Sequence, residues 1–203
     1  MFAVLFEVVP KAERYDEYLS IAAGLRPELL ASPGFRENTR YASRARAGLL
    51  LSLSLWDDEK ALIRWRTHAG HHAAQARGRS AVLDHYRLRV GEVIAHSADD
   101  IGSGRSRLDT TDVGAAKAVV VIDGPEPAAL SALQSQRDAI ADDSDCLEAI
   151  TEPSRFLALQ GFGAEAAASA AVGNTAPSGR RIAIRIIRDY GMDDRREAVQ
   201  WMA

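Results

Sequence analysis

Apolar positions along the chain follow two spacings that alternate from one segment to the next. FAVLFEVV (2–9) is a continuous apolar run of strand length. Tyr15, Tyr18, Leu19, Ala22, Leu25 and Leu29 then recur at spacings of three and four, the signature of an amphipathic helix. Pro27 falls inside that pattern and predicts an end or kink before a short extra turn. Ser32-Pro33-Gly34 is a turn signal. After it, FRENTRYASR sets Phe35, Glu37, Thr39 and Tyr41 on one face of a strand. In LLLSLSLW, Leu49, Leu51, Leu53 and Leu55 take one face and Ser52 and Ser54 the other. The acids of Trp56-Asp57-Asp58-Glu59 suit the cap and first turn of a following helix. That helix is ALIRWRTHAGHHAAQARGR (61–79), and DHYRLRVGEVIAH (84–96) reads as a strand with Tyr86, Leu88 and Val90 on one side. The order is strand, helix, strand, strand, helix, strand.

From about residue 97 the periodicity stops. SADDIGSGRSRLDTTDVGA is rich in Ser, Gly and Asp and reads as a linker over 97–115. The same order then begins again. AKAVVVID (116–123) is a strand, and Pro125 to Ala141 a helix with Leu130, Leu133, Arg137 and Ile140 at helical spacing. CLEAITE and SRFLALQGF are strands meeting near Pro153, GAEAAASAAV is a short helix, and RRIAIRIIRDY is the last strand. Each βαββαβ unit is a ferredoxin-like sheet with both helices on one face, and its bare face needs cover. The expected fold is therefore α+β: two tandem ferredoxin-like units, 1–96 and 116–203, packed sheet to sheet as an intramolecular α/β barrel, a pseudo-dimer. On that reading Ser52 and Ser54 are small because they lie between two closely packed sheets.

Composition narrows the class. With 203 residues, 47% of them hydrophobic and 26% charged, the chain is an ordinary soluble globular protein. A net charge of -3 argues against a nucleic-acid partner, which would favour a basic patch. No stretch approaches membrane-spanning length, and the opening MFAVLFEVVP carries Glu7 and no basic leader, so a cytoplasmic location is expected. Cys146 is the single cysteine, which excludes an internal disulfide, and it reads as a small core residue. GSG at 102–104 lies in the linker and does not make a phosphate loop.

GLLLSLSLWDDEKALIRWRTHAGHHAAQARGR and DHYRLRVGEV resemble the antibiotic biosynthesis monooxygenase family of dimeric α/β barrels. FEVVP, PGF (33–35) and RDYGMDDR (188–195) resemble further pieces of its pattern. The N-terminal half is covered nearly end to end, the C-terminal half only in element order and in its closing motif. The resemblance implies a pocket between sheet and helices. The family includes cofactor-independent oxygenases of phenols, anthrones and quinols, haem-degrading enzymes, and members with no known substrate.

On a continuous helix Trp65 and His72 project about 20° apart, with Leu62, Ala69 and Ala76 on the same face. His68 falls on a flank and His71 points away as a solvated residue. Both Trp65 and His72 then face a cavity against the leucine face of the preceding strand. The same pattern also suits a plain packed helix, with Trp65 in the core and His72 at its edge. Arg64, Arg66, Arg77 and Arg79 read as a solvated face, Arg79 being able to reach an anionic substrate.

Under the cofactor-free chemistry, His72 is the first candidate base and His68 the second. Asn38, Arg79 and Tyr86 are candidate donors to the substrate anion, and Trp65 an aromatic wall. The partners are a small aromatic substrate and molecular oxygen, with no cofactor and no metal. His68, His71 and His72 lack a carboxylate to complete a metal site. The protein would be a monomeric pseudo-dimer or a homo-oligomer of it.

Haem is the alternative cofactor, although Glu7 stands where haem-degrading relatives carry Asn. Non-catalytic binding of a small ligand is the third reading, because GAEAAASAAV offers the second unit no Trp or His. Trp201 reads as a packing residue across domains or onto a partner.

Overall fold

The computed structural model describes residues 1–99, 101, 113–135, 138–173 and 179–194. Most of the expected linker, the GSG motif, Arg137, Arg195 and Trp201 lie outside these residues.

Strand β1 (Phe2–Pro10) leads into helices α1 (Tyr15–Gly24) and α2 (Arg26–Leu30), which are separated at Leu25 with Pro27 in the first turn of α2. There proline's missing N–H costs no helical bond. Strands β2 (Phe35–Ser43) and β3 (Leu50–Trp56) form a hairpin, and α3 (Glu59–Thr67) starts from a cap in which Asp58 accepts the Ala61 N–H at 2.7 Å. Helix α4 (Ala69–Arg77), one turn of π-helix (Gly78–Val82) and β4 (Leu83–His96) close the first unit. The second unit comprises β5 (Ala118–Gly124), α5 (Glu126–Ser135), β6 (Ala139–Ala149), β7 (Phe156–Phe162), α6 (Glu165–Gly173) and β8 (Arg180–Gly191). Among the described residues no helix is long and apolar enough to cross a membrane.

The expected helix over 125–141 is shorter than its pattern. It ends at Ser135, and Ile140 belongs to β6. The pairing of Ala139 and Ile140 with Phe162 and Gly161 decides the outcome, since sheet partners outweigh a terminal helical match.

All eight strands join one closed barrel in the order β1-β3-β2-β6-β7-β5-β8-β4. Each unit contributes four antiparallel strands. The units meet edge to edge, β2 against β6 around Tyr41–Ala149 and β4 against β8 from Arg87–Gly191 to His96–Ile182. Closure leaves no free edge, which removes the usual route to strand-to-strand aggregation.

The leucine face of β3 (Leu51, Leu53 and Leu55) points into the lumen, where it packs with Leu5, Tyr41, Val121, Leu157, Leu159, Ile182 and Ile184. Ser52 and Ser54 therefore face outward, toward the helices. Their small size does not serve sheet-to-sheet packing, because both units' apolar faces already meet across the lumen through large side chains.

Charge closes the lumen around Glu7. Arg89, fully buried, donates to Glu7 at 2.7 Å and to Asp143 at 3.0 Å. Arg46 bridges Glu7 and Asp145, and Arg87 binds Asp143 and Asp189. A second network joins Asp123 to Arg155 and Arg180, and Arg180 to Glu37. Several of these pairs cross between the units, so they specify how the halves register as well as filling space.

The two helical layers differ. In the second unit Ala129, Ala132, Ala168 and Ala171 sit against Val120, Ala158 and Ala183, and all are buried. Alanine faces let a helix lie close on a sheet. The space equivalent to a pocket is filled there, with Gln160 donating to the Ala132 carbonyl and Arg181 to that of Ala171. Cys146 is half-buried at the margin of this cluster.

Candidate functional site

In the first unit the helices stand off the sheet and enclose a cavity of about 400 Å³. Its floor is a grid set by strand register. One row runs Asn38, Ser54, Val4, Val90, Arg188 across β2, β3, β1, β4 and β8. The next runs Arg40, Ser52, Phe6, Leu88, Tyr190. All ten line the cavity. The centre is apolar, and polar side chains occupy both margins. One margin, Arg188 and Tyr190, is supplied by the second unit through the β4–β8 seam. Of the RDYGMDDR motif, these two residues reach the site.

The roof comes from α1, α3, α4 and the π-turn. Here the helix over 61–79 departs from its expected course. His68 has an extended backbone (φ -62°, ψ 132°) and separates α3 from α4. The projection that stacked His72 over Trp65 does not survive this break. What the break brings beneath Trp65 is His71, its ring 4.7 Å from the indole and 21° from parallel. His71 is thus a lining residue and not a solvated one. Thr67, His68 and Gly70 carried the signal, since all three have weak helix preference.

Of the six residues singled out from the sequence, Trp65, His72, Asn38, Arg79 and Tyr86 all line this one cavity. His68 does not. It is exposed, its ring centre lies 5.7 Å from that of Trp65, and it pairs with Glu28 at 3.2 Å. The cavity abuts the serine face of β3 and not the leucine face. Asn38 donates to Ser52 Oγ at 2.8 Å and to the Leu53 carbonyl at 3.0 Å, which fixes its amide against the floor. Trp56 is buried, donates to Ser54 Oγ at 3.0 Å and lies 6.5 Å from Trp65. Arg66 also lines the site, whereas Arg77 binds Glu17 at 2.7 Å and Arg64 reaches the Pro33 carbonyl. Ser52 and Ser54 were expected between the two sheets, and Arg40 and Tyr190 were readable only as strand residues of undetermined face.

Residues 1–77 match the antibiotic biosynthesis monooxygenase family. A protein of Pyricularia oryzae named "Jasmonate monooxygenase ABM" is 39% identical over 215 aligned residues, 99% of this chain and 98% of that one. The chain belongs to the antibiotic biosynthesis monooxygenase family. A Bacillus subtilis relative, "Uncharacterized protein YqjZ", is 34% identical over 94 residues, 45% of this chain and 78% of that one. A "putative monooxygenase from Lactobacillus acidophilus" of known structure aligns over 93% of this chain and 94% of its own, at 9% identity and a TM-score of 0.42.

Within this antibiotic biosynthesis monooxygenase pocket, protonation can be assigned for one histidine. His71 Nδ1 lies 3.1 Å from the Trp65 carbonyl, which can only accept, so Nδ1 carries the hydrogen. Nε2 then holds the lone pair. Gln75 Nε2 lies 3.3 Å from the same Nδ1 and cannot donate to a nitrogen that already carries a hydrogen. Burial is the largest influence on His71 and lowers its pKa from 6.5 to about 4. The ring is neutral at pH 7.

That shift has a consequence for stability. Between pH 6.5 and about 4 the unfolded chain protonates His71 and the folded chain does not. Its contribution is complete above pH 6.5 and is lost as pH falls toward 4, to a ceiling of about 3 kcal/mol. His71→Gln is expected to flatten the melting temperature between these limits. Parallel wild-type and variant curves would rule out His71 as the source.

Proposed function

We propose that this family member is a cofactor-independent monooxygenase of a small, largely apolar aromatic, quinol or anthrone-like compound. The observation that supports it most is the cavity itself, where Trp65, His72, Asn38, Arg79 and Tyr86 converge over an apolar floor. A volume near 400 Å³ suits a compact ligand of this kind. His72 acts as the base that removes a proton from a phenol or an activated methylene. Arg79 and Tyr86 stabilise the anion, Asn38, whose two amide hydrogens are held by Ser52 and the Leu53 carbonyl, shapes the β2 margin, and Trp65 and Trp56 flank the ligand. Oxygen adds to the substrate carbon, one atom stays as the new carbonyl, and the other leaves as water, with the two methylene hydrogens of an anthrone or with the O–H and ring C–H hydrogens of a phenol. The substrate supplies all four electrons.

One residue counts against haem as the family resemblance describes it. Glu7 faces the lumen, bound to Arg89 and Arg46, and offers nothing to the cavity.

Oxygen consumption tests the reading directly. The purified chain, treated with chelator, is mixed with hydroquinones, anthrones and, because of the name its relative carries, jasmonate. Uptake matched mole for mole by product, with no added flavin, haem or metal, is the expected result. Uptake that requires one of those additions defeats cofactor independence, and none across the panel defeats the oxygenase. A haemin titration followed at the Soret band is expected to show no saturable shift.

A further inference from the structure

Arg40 differs from the other inward-turned arginines of this protein. Arg46, Arg87, Arg89, Arg155, Arg180 and Arg185 each bind at least one carboxylate. Arg40 stands on the cavity floor, and its Nε is buried with no hydrogen-bond partner. Among the described residues no carboxylate lies within ion-pair distance of it. Its polar neighbour from the roof is Tyr18, whose hydroxyl burial holds in the protonated form while the Arg40 charge partly offsets that effect. Glu59 is the single acid in the lining, against Arg40, Arg66, Arg79 and Arg188. A partly buried guanidinium without a counter-ion is unfavourable, and the geometry of its fork matches a carboxylate.

We propose that Arg40 binds the carboxylate of an acidic substrate, whose apolar body lies over Val4, Phe6, Leu88 and Val90. This inference rests on the oxygenase reading for the word substrate, but the binding itself does not need oxygen. Anchoring at the β2 margin fixes which end of the ligand lies away from Arg40. Arg40 is then the residue that selects acids over neutral compounds of the same shape.

Calorimetric titration with 4-phenylbutyrate and with its primary amide tests this without reference to turnover. The wild-type protein is expected to bind the acid at least ~10-fold more tightly than the amide. Arg40→Gln should bring the two within about twofold by weakening the acid alone, and Arg40→Lys should keep part of the preference. Arg66→Gln should keep it whole. Unchanged melting curves, with Arg40→Lys as the charge-preserving control, guard against misfolding. Equal affinities in the wild type, no binding of the acid, or a preference that persists in Arg40→Gln would each overturn the proposal. Acid-selective binding without oxygen uptake on any substrate would leave the carboxylate site standing and sink the oxygenase.

Discussion

His72→Ala is expected to lower kcat/KM by about 10²–10⁴, the usual contribution of a positioned general base. The side chain lines the cavity from α4 and is half-buried, so its removal leaves the barrel core untouched. The melting temperature should therefore change little. A truncated base leaves a space that a small molecule can enter, and added imidazole should restore part of the activity. His71→Gln offers the contrast. His71 is held by the Trp65 carbonyl and by stacking, so its loss should disturb substrate position and respond to imidazole weakly or not at all. Less than a tenfold loss in His72→Ala would transfer the role of base to another group.

The second large effect concerns folding. Arg89→Met is expected to destabilise the protein by about 3–5 kcal/mol, because it leaves Glu7 and Asp143 buried without their shared partner. Denaturant unfolding of the two proteins measures it. Adding Glu7→Gln to Arg89→Met should recover part of the loss, since one of the stranded charges is then gone. A cost below about 1 kcal/mol would mean that Arg46 and Arg87 rearrange to neutralise the acids. The experiment also probes the join between the units, because Arg89 belongs to the first and Asp143 to the second.

How far the sequence carried depended on the kind of pattern. Alternation of two kept its meaning for β3, where the leucines and serines do take opposite faces. What alternation could not say was which face met the other unit and which met the helices. Both are covered in this barrel, and the leucines filled the lumen while the serines cleared the pocket. The repeated element order was legible because each unit must bury its helices on one side. The barrel itself was expected, but the strand pairs that close it were not legible, because the β4–β8 seam joins residues about a hundred positions apart.

Helical projection failed at a single residue. His68 breaks the helix, and angles projected across it do not hold, which is why His71 was expected outside and His68 on a flank of the cavity face. Arg40 shows a different limit. A lone arginine in FRENTRYASR carries no periodic signal, and its interest arises only from what surrounds it.

The cavity floor crosses from one repeat into the other at Arg188 and Tyr190. In a barrel built from two identical chains, any substitution is made twice, once in each copy's own sheet and once at the border of its neighbour's ligand site. A tandem chain frees these duties from one another. The β8 border can vary while β4, its counterpart in the first repeat, stays as it is. A tandem chain with this cavity thus has a ligand site whose two sides can diverge independently, a freedom that a symmetric dimer lacks.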